Sequence, residues 1–416
     1  MNIWIVNQYA IPPSLGGLVR HYYFSKYMQQ DGHKVRIFTS SKIHNSDINL
    51  INDNTLYKEK MVDGIEYTFV HSRDYKGNGI DRVLNMLELP FKMWKAMKAF
   101  KKEGPDVIYT SSPSLFIAFF SLLFGRRNKI PVVVEIRDLW PESIVEYNGM
   151  SRRNPIILMI YQLEKWIYKN ATQLIFTFEG GSDYIKDKKW DRYIDLDKVN
   201  YVNNGVDLKE FAENIGKAQI DDPDLIDKSK FKVVYVGSIR RANSVKNLVD
   251  VARTLQTQNK DDILFLIYGD GVDKNELESE CKRDNLVNIK FKGKVEKKYI
   301  PYILSNSNLN ILNYKQSATW KYGGSQNKQF EYLASGIPVC SNVEMGYSIM
   351  RRYQCGIEEN METVQQYAEA ILAYKDMDKE EYEQQCKNAR KAAEEFDYPK
   401  LSLKIEKILE HAVGNI

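Results

Sequence analysis

Residues 322–339 read Tyr322-Gly323-Gly324-Ser325-Gln326-Asn327-Lys328-Gln329-Phe330-Glu331-Tyr332-Leu333-Ala334-Ser335-Gly336-Ile337-Pro338-Val339. A glycine-rich loop enters a helix, expected near Gln329–Ala334, and Gly336 and Pro338 stop it before an apolar strand at Pro338–Ser341. The first N–H groups of such a helix have no partner within it, and the helix dipole favours negative charge there. Gly324, Ser325, Asn327 and Lys328 therefore form a candidate phosphate cradle, with Lys328 as a mobile cation in the first turn. Glu331 follows one turn later, placed to accept hydrogen bonds from sugar hydroxyls. The same pattern also fits a plain capped helix with a solvated lysine and glutamate.

The surrounding chain repeats the strand–helix alternation. Upstream come strands at Phe231–Val236, Ile263–Tyr268, Asn288–Phe291 and Leu309–Asn313, with a helix at Ser244–Gln256. The first half has the same grammar. A strand at Ile3–Val6 leads through Pro12-Pro13-Ser14-Leu15-Gly16-Gly17 into a helix at Val19–Gln30, which Gly32 ends. Strands follow at Val35–Thr39, Val107–Thr110, Val132–Ile136 and Leu174–Thr177. Alternation of this kind predicts α/β units with mostly parallel sheets. A chain of 416 residues exceeds one ordinary core, so two Rossmann-like domains are expected. The seam falls between Asn203 and Lys230, and a last helix near Tyr398–Ala412 follows all the sheet material. Ligands of open parallel sheets bind at the carboxyl ends of the strands. Two such sheets facing each other predict one interdomain cleft, which also suits a dehydrogenase or an epimerase.

Composition narrows the chemistry. The four cysteines, Cys281, Cys340, Cys355 and Cys386, form no C-x-x-C pair, which argues against a zinc site or a disulfide framework and for a reducing cytoplasm. The start, Met1-Asn2-Ile3-Trp4-Ile5-Val6, reads as a strand and not as a signal peptide. The longest apolar run, Leu115–Phe124, is too short to span a bilayer. The first 205 residues carry 28 Lys and Arg against 22 Asp and Glu, whereas the remainder carries 31 against 33. That basic surplus favours an anionic membrane surface or a phosphate-bearing acceptor, and no nucleic acid is expected. Within it, Phe91–Lys102 reads as a basic amphipathic helix. Met93, Ala96, Met97 and Phe100 share one face, and Lys92, Lys95, Lys98 and Lys102 the other. It can lie on anionic lipid or pack on the sheet. Arg126-Arg127, behind the Phe116–Phe124 helix, adds weight to the lipid reading. No G-x-G-x-x-G follows Ile3–Val6, which disfavours a nicotinamide dehydrogenase. The five histidines form no triad with carboxylates.

Several segments, in order, carry a family resemblance: Gly16-Gly17, Asp31-Gly32-His33-Lys34-Val35, Thr110-Ser111-Ser112-Pro113-Ser114-Leu115-Phe116, and Glu135-Ile136-Arg137-Asp138-Leu139-Trp140-Pro141-Glu142. Asn203-Asn204-Gly205-Val206-Asp207, Tyr235-Val236-Gly237-Ser238-Ile239, Gly269-Asp270-Gly271 and the loop at 322–339 complete the set. The sequence resembles family 4 of the retaining glycosyltransferases, in particular the fucosamine-transferase-like branch that builds O-antigen, capsule and exopolysaccharide units. The resemblance implies a GT-B fold. Residues 1–205 would be an acceptor-binding domain, 206–396 a nucleotide-sugar-binding domain, and 397–416 a helix packing back on the first. It implies a hexosyl- or N-acetylhexosaminyltransferase. Its donor would be a nucleotide diphosphate sugar, UDP-linked, and its acceptor a polyprenyl-diphosphate-linked sugar or a saccharide at the inner face of the cytoplasmic membrane. It also implies a basic pair after the first strand of the second domain, here Arg241 and Lys246. Much of the family has two glutamates eight positions apart at the donor loop. Glu331 matches the second, to which a ribose-binding role carries over, but the first falls on Gly323.

Transfer breaks the anomeric C–O bond while negative charge gathers on the leaving diphosphate. No cluster of His, Asp, Glu or Cys stands at metal-ligand spacing, so no metal or cofactor is expected. The charge is then met by Lys, Arg and a helix N-terminus. Retention in this family implies same-face attack assisted by the donor phosphate, so no covalent residue is assigned. Asp138, just beyond a buried strand, is the polar group expected near the reacting centre, orienting the acceptor hydroxyl or taking its proton. Gly16 and Gly17 allow close approach of the first loop to sugar or phosphate. Two rivals remain: a sugar-nucleotide epimerase of the same fold, and a non-catalytic scaffold that would tolerate Gly323 in place of the first glutamate.

Overall fold

The computed structural model describes residues 1–44, 46–75 and 79–414, so the two terminal residues of the expected segment 397–416 lie outside it. The chain divides into two compact units. One comprises residues 1–203 and the last helix, and the other Asn204–Asp397.

The first unit is built on eight strands: β1 (Asn2–Val6), β2 (Lys34–Ser40), β3 (Tyr57–Val62), β4 (Ile65–Val70), β5 (Val107–Ser111), β6 (Val132–Ile136), β7 (Gln173–Phe176) and β8 (Val199–Tyr201). Their order is β3-β4-β2-β1-β5-β6-β7-β8, parallel except where β3 runs antiparallel to β4. Central strands such as Val107–Ser111 and Val132–Ile136 are buried along their whole length, which is why apolar and β-branched residues dominate them. The β3–β4 hairpin is absent from the sequence reading. Its turn is Asp63-Gly64, both at positive φ (50° and 80°), a two-residue hairpin signal. Lys58, Glu59 and Lys60 face water on the edge strand, as protection against edge-to-edge pairing requires.

The crossover connections place helix Leu115–Asn128 between helices Ile80–Ala99 and Pro155–Asn170, packed against both. The sequence reading starts the basic helix at Phe91 and leaves Met93, Ala96 and Met97 either to lipid or to packing on the sheet. The helix instead begins at Ile80 and carries Pro90 inside it, and those residues are buried. That apolar face packs on the protein itself. Arg20–Gln30 packs against the last helix, Tyr398–Gly414, with Tyr23 and Tyr398 stacked at 4.4 Å.

A buried charge fixes the middle of this unit. The Glu135 carboxylate on β6 accepts from Arg20 Nε at 2.9 Å, from Ser111 Oγ at 2.7 Å and from the Tyr109 hydroxyl. Arg20 also donates to the carbonyls of Val202 and Asn203. Burial alone would push the Glu135 carboxyl up, but Arg20 and His21 beside it hold it well below the usual carboxylate range. The network ties β5, β6, the first helix and the exit of β8 into one piece.

The second unit has six strands, all parallel: β9 (Phe231–Val236), β10 (Ile263–Tyr268), β11 (Ile289–Gly293), β12 (Leu309–Leu312), β13 (Val339–Ser341) and β14 (Gly356–Glu358), ordered β11-β10-β9-β12-β13-β14. Helix Val245–Thr257 buries Val245, Leu248, Val249, Val251, Ala252 and Leu255 on one side of it. Asn327–Ser335 buries Phe330, Tyr332 and Leu333.

Candidate functional site

The functional side chains of the second unit gather at the carboxyl end of β9. The chain turns there through Gly237 and Ser238 and meets the loop after β10. A Cβ on Gly269 would lie 1.8 Å from the Gly237 carbonyl oxygen, and one on Gly271 would lie 2.1 Å from that of Ile239. These two glycines let the backbones touch, and Ile239 N–H donates to the Asp270 carbonyl at 2.9 Å. The turn is held from the other side by Asn243, whose amide donates to the Ser238 carbonyl, and by Asn313, which donates to the carbonyls of Asn243 and Ser244.

Onto this turn comes helix Asn327–Ser335. Its N-cap, Gln326, is extended and makes no side-chain capping bond, so the dipole end is left for an anion. Lys328 does not swing free there. It is half-buried, donates to the Tyr235 hydroxyl at 3.1 Å, and sits 4.4 Å and 4.7 Å from the ring centres of Tyr235 and Tyr314. Loss of surrounding water pulls its ammonium from the ordinary 10.5 to about 7. Ser325 is anchored within the unit: its hydroxyl accepts the Asn204 N–H at 2.7 Å, and its carbonyl accepts the Asn204 side-chain amide. Glu331 is partly buried one turn into the helix, 3.7 Å from Lys297 Nζ.

Gly323 has φ 97° and ψ 176°, a conformation essentially reserved for glycine. An L-residue is strained there, which gives a backbone reason for glycine where the wider family has its first glutamate. Its N–H is also committed, to the Trp320 carbonyl at 2.8 Å. Gly324 has a packing reason: a Cβ would meet Met345 Sδ at 2.6 Å.

The expected basic pair separates. Arg241 is exposed on the turn that follows β9. Lys246, the second residue of the next helix, is engaged by Asp250 and by Glu280 at 2.9 Å. Its i,i+4 carboxylate and the neighbouring helix take up the charge that the sequence reading assigns to phosphate.

In the first unit, Gly16 and Gly17 lie in the loop after β1. A Cβ on Gly16 would stand 3.1 Å from Ile11 Cγ2, whereas one on Gly17 would meet nothing within 4 Å. Asp138 is exposed just past β6. The Arg137 N–H beside it donates to Ser112 Oγ at 2.8 Å, which holds this loop to β5. Glu142 is sealed by Arg152, Lys188 and Tyr161 and is structural. Asn204, Tyr235, Tyr314 and Lys297 touch the candidate residues Ser325, Lys328 and Glu331 and were not singled out from the sequence. Asn204 and Tyr235 lay inside quoted segments but carried no chemical role there.

Beside the donor-type loop, an open cleft of about 890 Å³ runs between residues 316–321 and 344–352, with Ser317, Lys321, Glu344, Tyr347 and Arg351 on its walls. Among the described residues, no group of three or more His, Cys, Asp or Glu side chains is arranged to hold a metal ion.

Comparison with known proteins matches two family models. Residues 15–210 match Glycosyltransferase Family 4, and residues 216–392 match Glycosyl transferases group 1. The chain is 23% identical over 284 residues to the UDP-Gal:alpha-D-GlcNAc-diphosphoundecaprenol alpha-1,3-galactosyltransferase of Escherichia coli, covering 67% of this chain and 68% of that one. Among solved structures it is similar to Anabaena HepE in complex with UDP-glucose, with TM-score 0.68 and 15% identity over 99% of this chain and 100% of that one. It is also similar to WaaG, a glycosyltransferase involved in lipopolysaccharide biosynthesis, with TM-score 0.65 and 13% identity over 98% and 99%. Two parallel-sheet α/β units with neighbours matched over their whole length make the fold GT-B.

Proposed function

Because the chain belongs to the family 4 glycosyltransferases, we propose that it is a retaining transferase. It moves a hexosyl or N-acetylhexosaminyl group from a UDP-sugar to a lipid-linked or saccharide acceptor, in the synthesis of a bacterial surface polysaccharide at the inner face of the cytoplasmic membrane. One observation carries the reading: the uncapped N-terminus of Asn327–Ser335 with Lys328 drawn in over Tyr235, a small, water-poor anion site at the end of β9. The E. coli relative uses UDP-galactose and an undecaprenol-diphosphate acceptor, and HepE was crystallised with UDP-glucose. Both support the donor class.

In this proposal the helix N-terminus, Lys328 and Arg241 meet the diphosphate, and Glu331 accepts from the ribose hydroxyls. The bond from C1 of the sugar to the β-phosphate oxygen breaks, and its electron pair goes to that oxygen. The acceptor oxygen attacks C1 from the same face, and its proton passes to the departing phosphate. Asp138 orients the acceptor hydroxyl. The cationic groups take the developing charge, so turnover proceeds without a divalent cation.

The test is a transfer assay with UDP-galactose, UDP-glucose, UDP-N-acetylglucosamine and UDP-N-acetylgalactosamine, each with GlcNAc-diphosphoundecaprenol as acceptor and with or without excess EDTA. Product of retained anomeric configuration in both arms is expected. No product from any donor overturns the substrate reading, and loss in EDTA restored by magnesium or manganese overturns the metal-free reading.

A further inference from the structure

Helix Ile80–Ala99 has a second apolar face besides the one it buries. Ile80, Val83, Leu84, Leu87 and Phe91 are all exposed, Ile80 by 78% and Phe91 by 51%. At 100° per residue they fall within about 60° of one direction, opposite to buried Leu89 and Met93. Such a run at i, i+3, i+4, i+7 and i+11 is not the scatter of single apolar residues normal on a surface. The stripe continues across the face. The adjacent helix leaves Phe116, Phe119 and Phe120 half-exposed, with Phe120 against Phe91, and Met159 stands out 63% exposed on the third.

What borders the stripe identifies its occupant. Further along the same outward line of Ile80–Ala99 come Lys95 and Lys98, both exposed, and Lys101 and Lys102 follow in the next turn. Arg126 and Arg127 end the middle helix beside them. Lys95 Nζ lies 4.6 Å over the Phe91 ring, its stem along the apolar surface and its charge at the margin. An apolar stripe with cations at one end complements the acyl–headgroup boundary of an anionic leaflet. A soluble partner of matching apolar shape would not require the basic end.

We infer that the outward face of Ile80–Ala99, continued over Phe116–Phe120 and Met159, is the surface by which this protein lies on an anionic lipid membrane. The apolar residues enter the headgroup region and Lys95 and Lys98 meet lipid phosphates. This rests on the membrane station in the reading above and specifies the face. It uses a different face from the one the sequence suggested for lipid, since Met93 and Met97 are buried against the protein.

Co-sedimentation with vesicles of equal parts phosphatidylglycerol and phosphatidylcholine, against phosphatidylcholine alone, tests it without donor or acceptor. Binding can then fail while transfer activity stands, and the reverse. The parent is expected to bind the anionic vesicles preferentially and to release in high salt. Lys95→Gln with Lys98→Gln should weaken binding roughly 25-fold, about fivefold for each lysine. Leu84→Ser, Leu87→Ser and Phe91→Ser together should weaken it by on the order of tenfold or more at any salt. Because these five side chains point away from the core, circular dichroism and melting should match the parent. Vesicle binding by the triple variant equal to the parent's overturns the inference. So does a parent dimer, seen in sedimentation velocity, that the triple variant loses while vesicle binding persists.

Discussion

Lys328 Nζ donates to the Tyr235 hydroxyl at 3.1 Å and lies 4.4 Å from the centre of the same ring. The tyrosine hydroxyl in turn donates to the Ser238 carbonyl at 2.8 Å. The cation of helix Asn327–Ser335 is thus tied to the turn after β9 by a single side chain, which joins the two ends of the proposed anion site.

The position of that ammonium sets a pH dependence. Burial brings Lys328 to about 7 in the free protein, whereas a bound diphosphate stabilises the charged form and raises it. Binding of UDP therefore takes up a proton above neutrality. Affinity should be flat below pH 7 and weaken towards about tenfold per pH unit above it. Isothermal titration calorimetry of UDP from pH 6 to 9 in buffers of differing ionisation heat checks both slope and proton uptake. Lys328→Met should remove the slope along with most of the affinity. A slope unchanged in that variant places the titrating group elsewhere.

Glu331 sits one turn inside the same helix, with Lys297 at 3.7 Å. Glu331→Ala should weaken UDP-sugar binding and lower kcat/KM by about 100-fold, equivalent to roughly 2.7 kcal/mol of lost charged hydrogen bonding. Unchanged melting of the apoprotein separates this from unfolding. Kinetics equal to the parent's would remove Glu331 from the site.

Gly323 is where the family pattern and the backbone diverge. Restoring the family residue with Gly323→Glu should not improve turnover. At φ 97° and ψ 176° a side chain costs about 1–3 kcal/mol of strain, released only by moving the loop. Gly323→Ala should show the same loss with no charge added. Faster turnover in Gly323→Glu would show that the loop accepts the glutamate after all.

The parallel sheets were legible because buried strands such as Ile263–Tyr268 are unbroken apolar runs, and because Gly336 and Pro338 punctuate the helix before β13. The β3–β4 hairpin was missed although Asp63-Gly64 announced it, since half of the edge strand Tyr57–Val62 is charged and its residues show no apolar face. Gly324 and Lys328 were legible as a loop-and-cation pattern. What sequence did not show was where long side chains end. Lys246 and Lys328 are both lysines near a strand's carboxyl end, yet one is claimed by Asp250 and Glu280 and the other by two tyrosines. Those partners lie 4 to 93 positions away, and only folding decides between them. Asn204 was invisible in role for the same reason, because its partner Ser325 is 121 positions distant.

The Glu135 network was likewise hidden, and it yields the sharpest stability prediction. Arg20 and Glu135 are both essentially inaccessible, and their ion pair at 2.9 Å also satisfies the Val202 and Asn203 carbonyls. Arg20→Met leaves the carboxylate buried without its guanidinium, which should cost about 3–5 kcal/mol of unfolding free energy at pH 7. Because the folded state holds Glu135 below its unfolded value of about 4.3, the pair's contribution is fully present above that pH. It is lost as pH falls through the lower folded value, so the parent should weaken steeply under acid. In Arg20→Met, burial is no longer opposed by the guanidinium, so the carboxyl rises and the acid limb should flatten. Replacing both residues, Arg20→Met with Glu135→Leu, removes the stranded charge and should recover part of the loss. Urea denaturation at pH 7 and pH 4 for parent, single and double variants decides it. A single variant within about 1 kcal/mol of the parent at pH 7 would show that His21, Tyr109 and Ser111 suffice to hold Glu135.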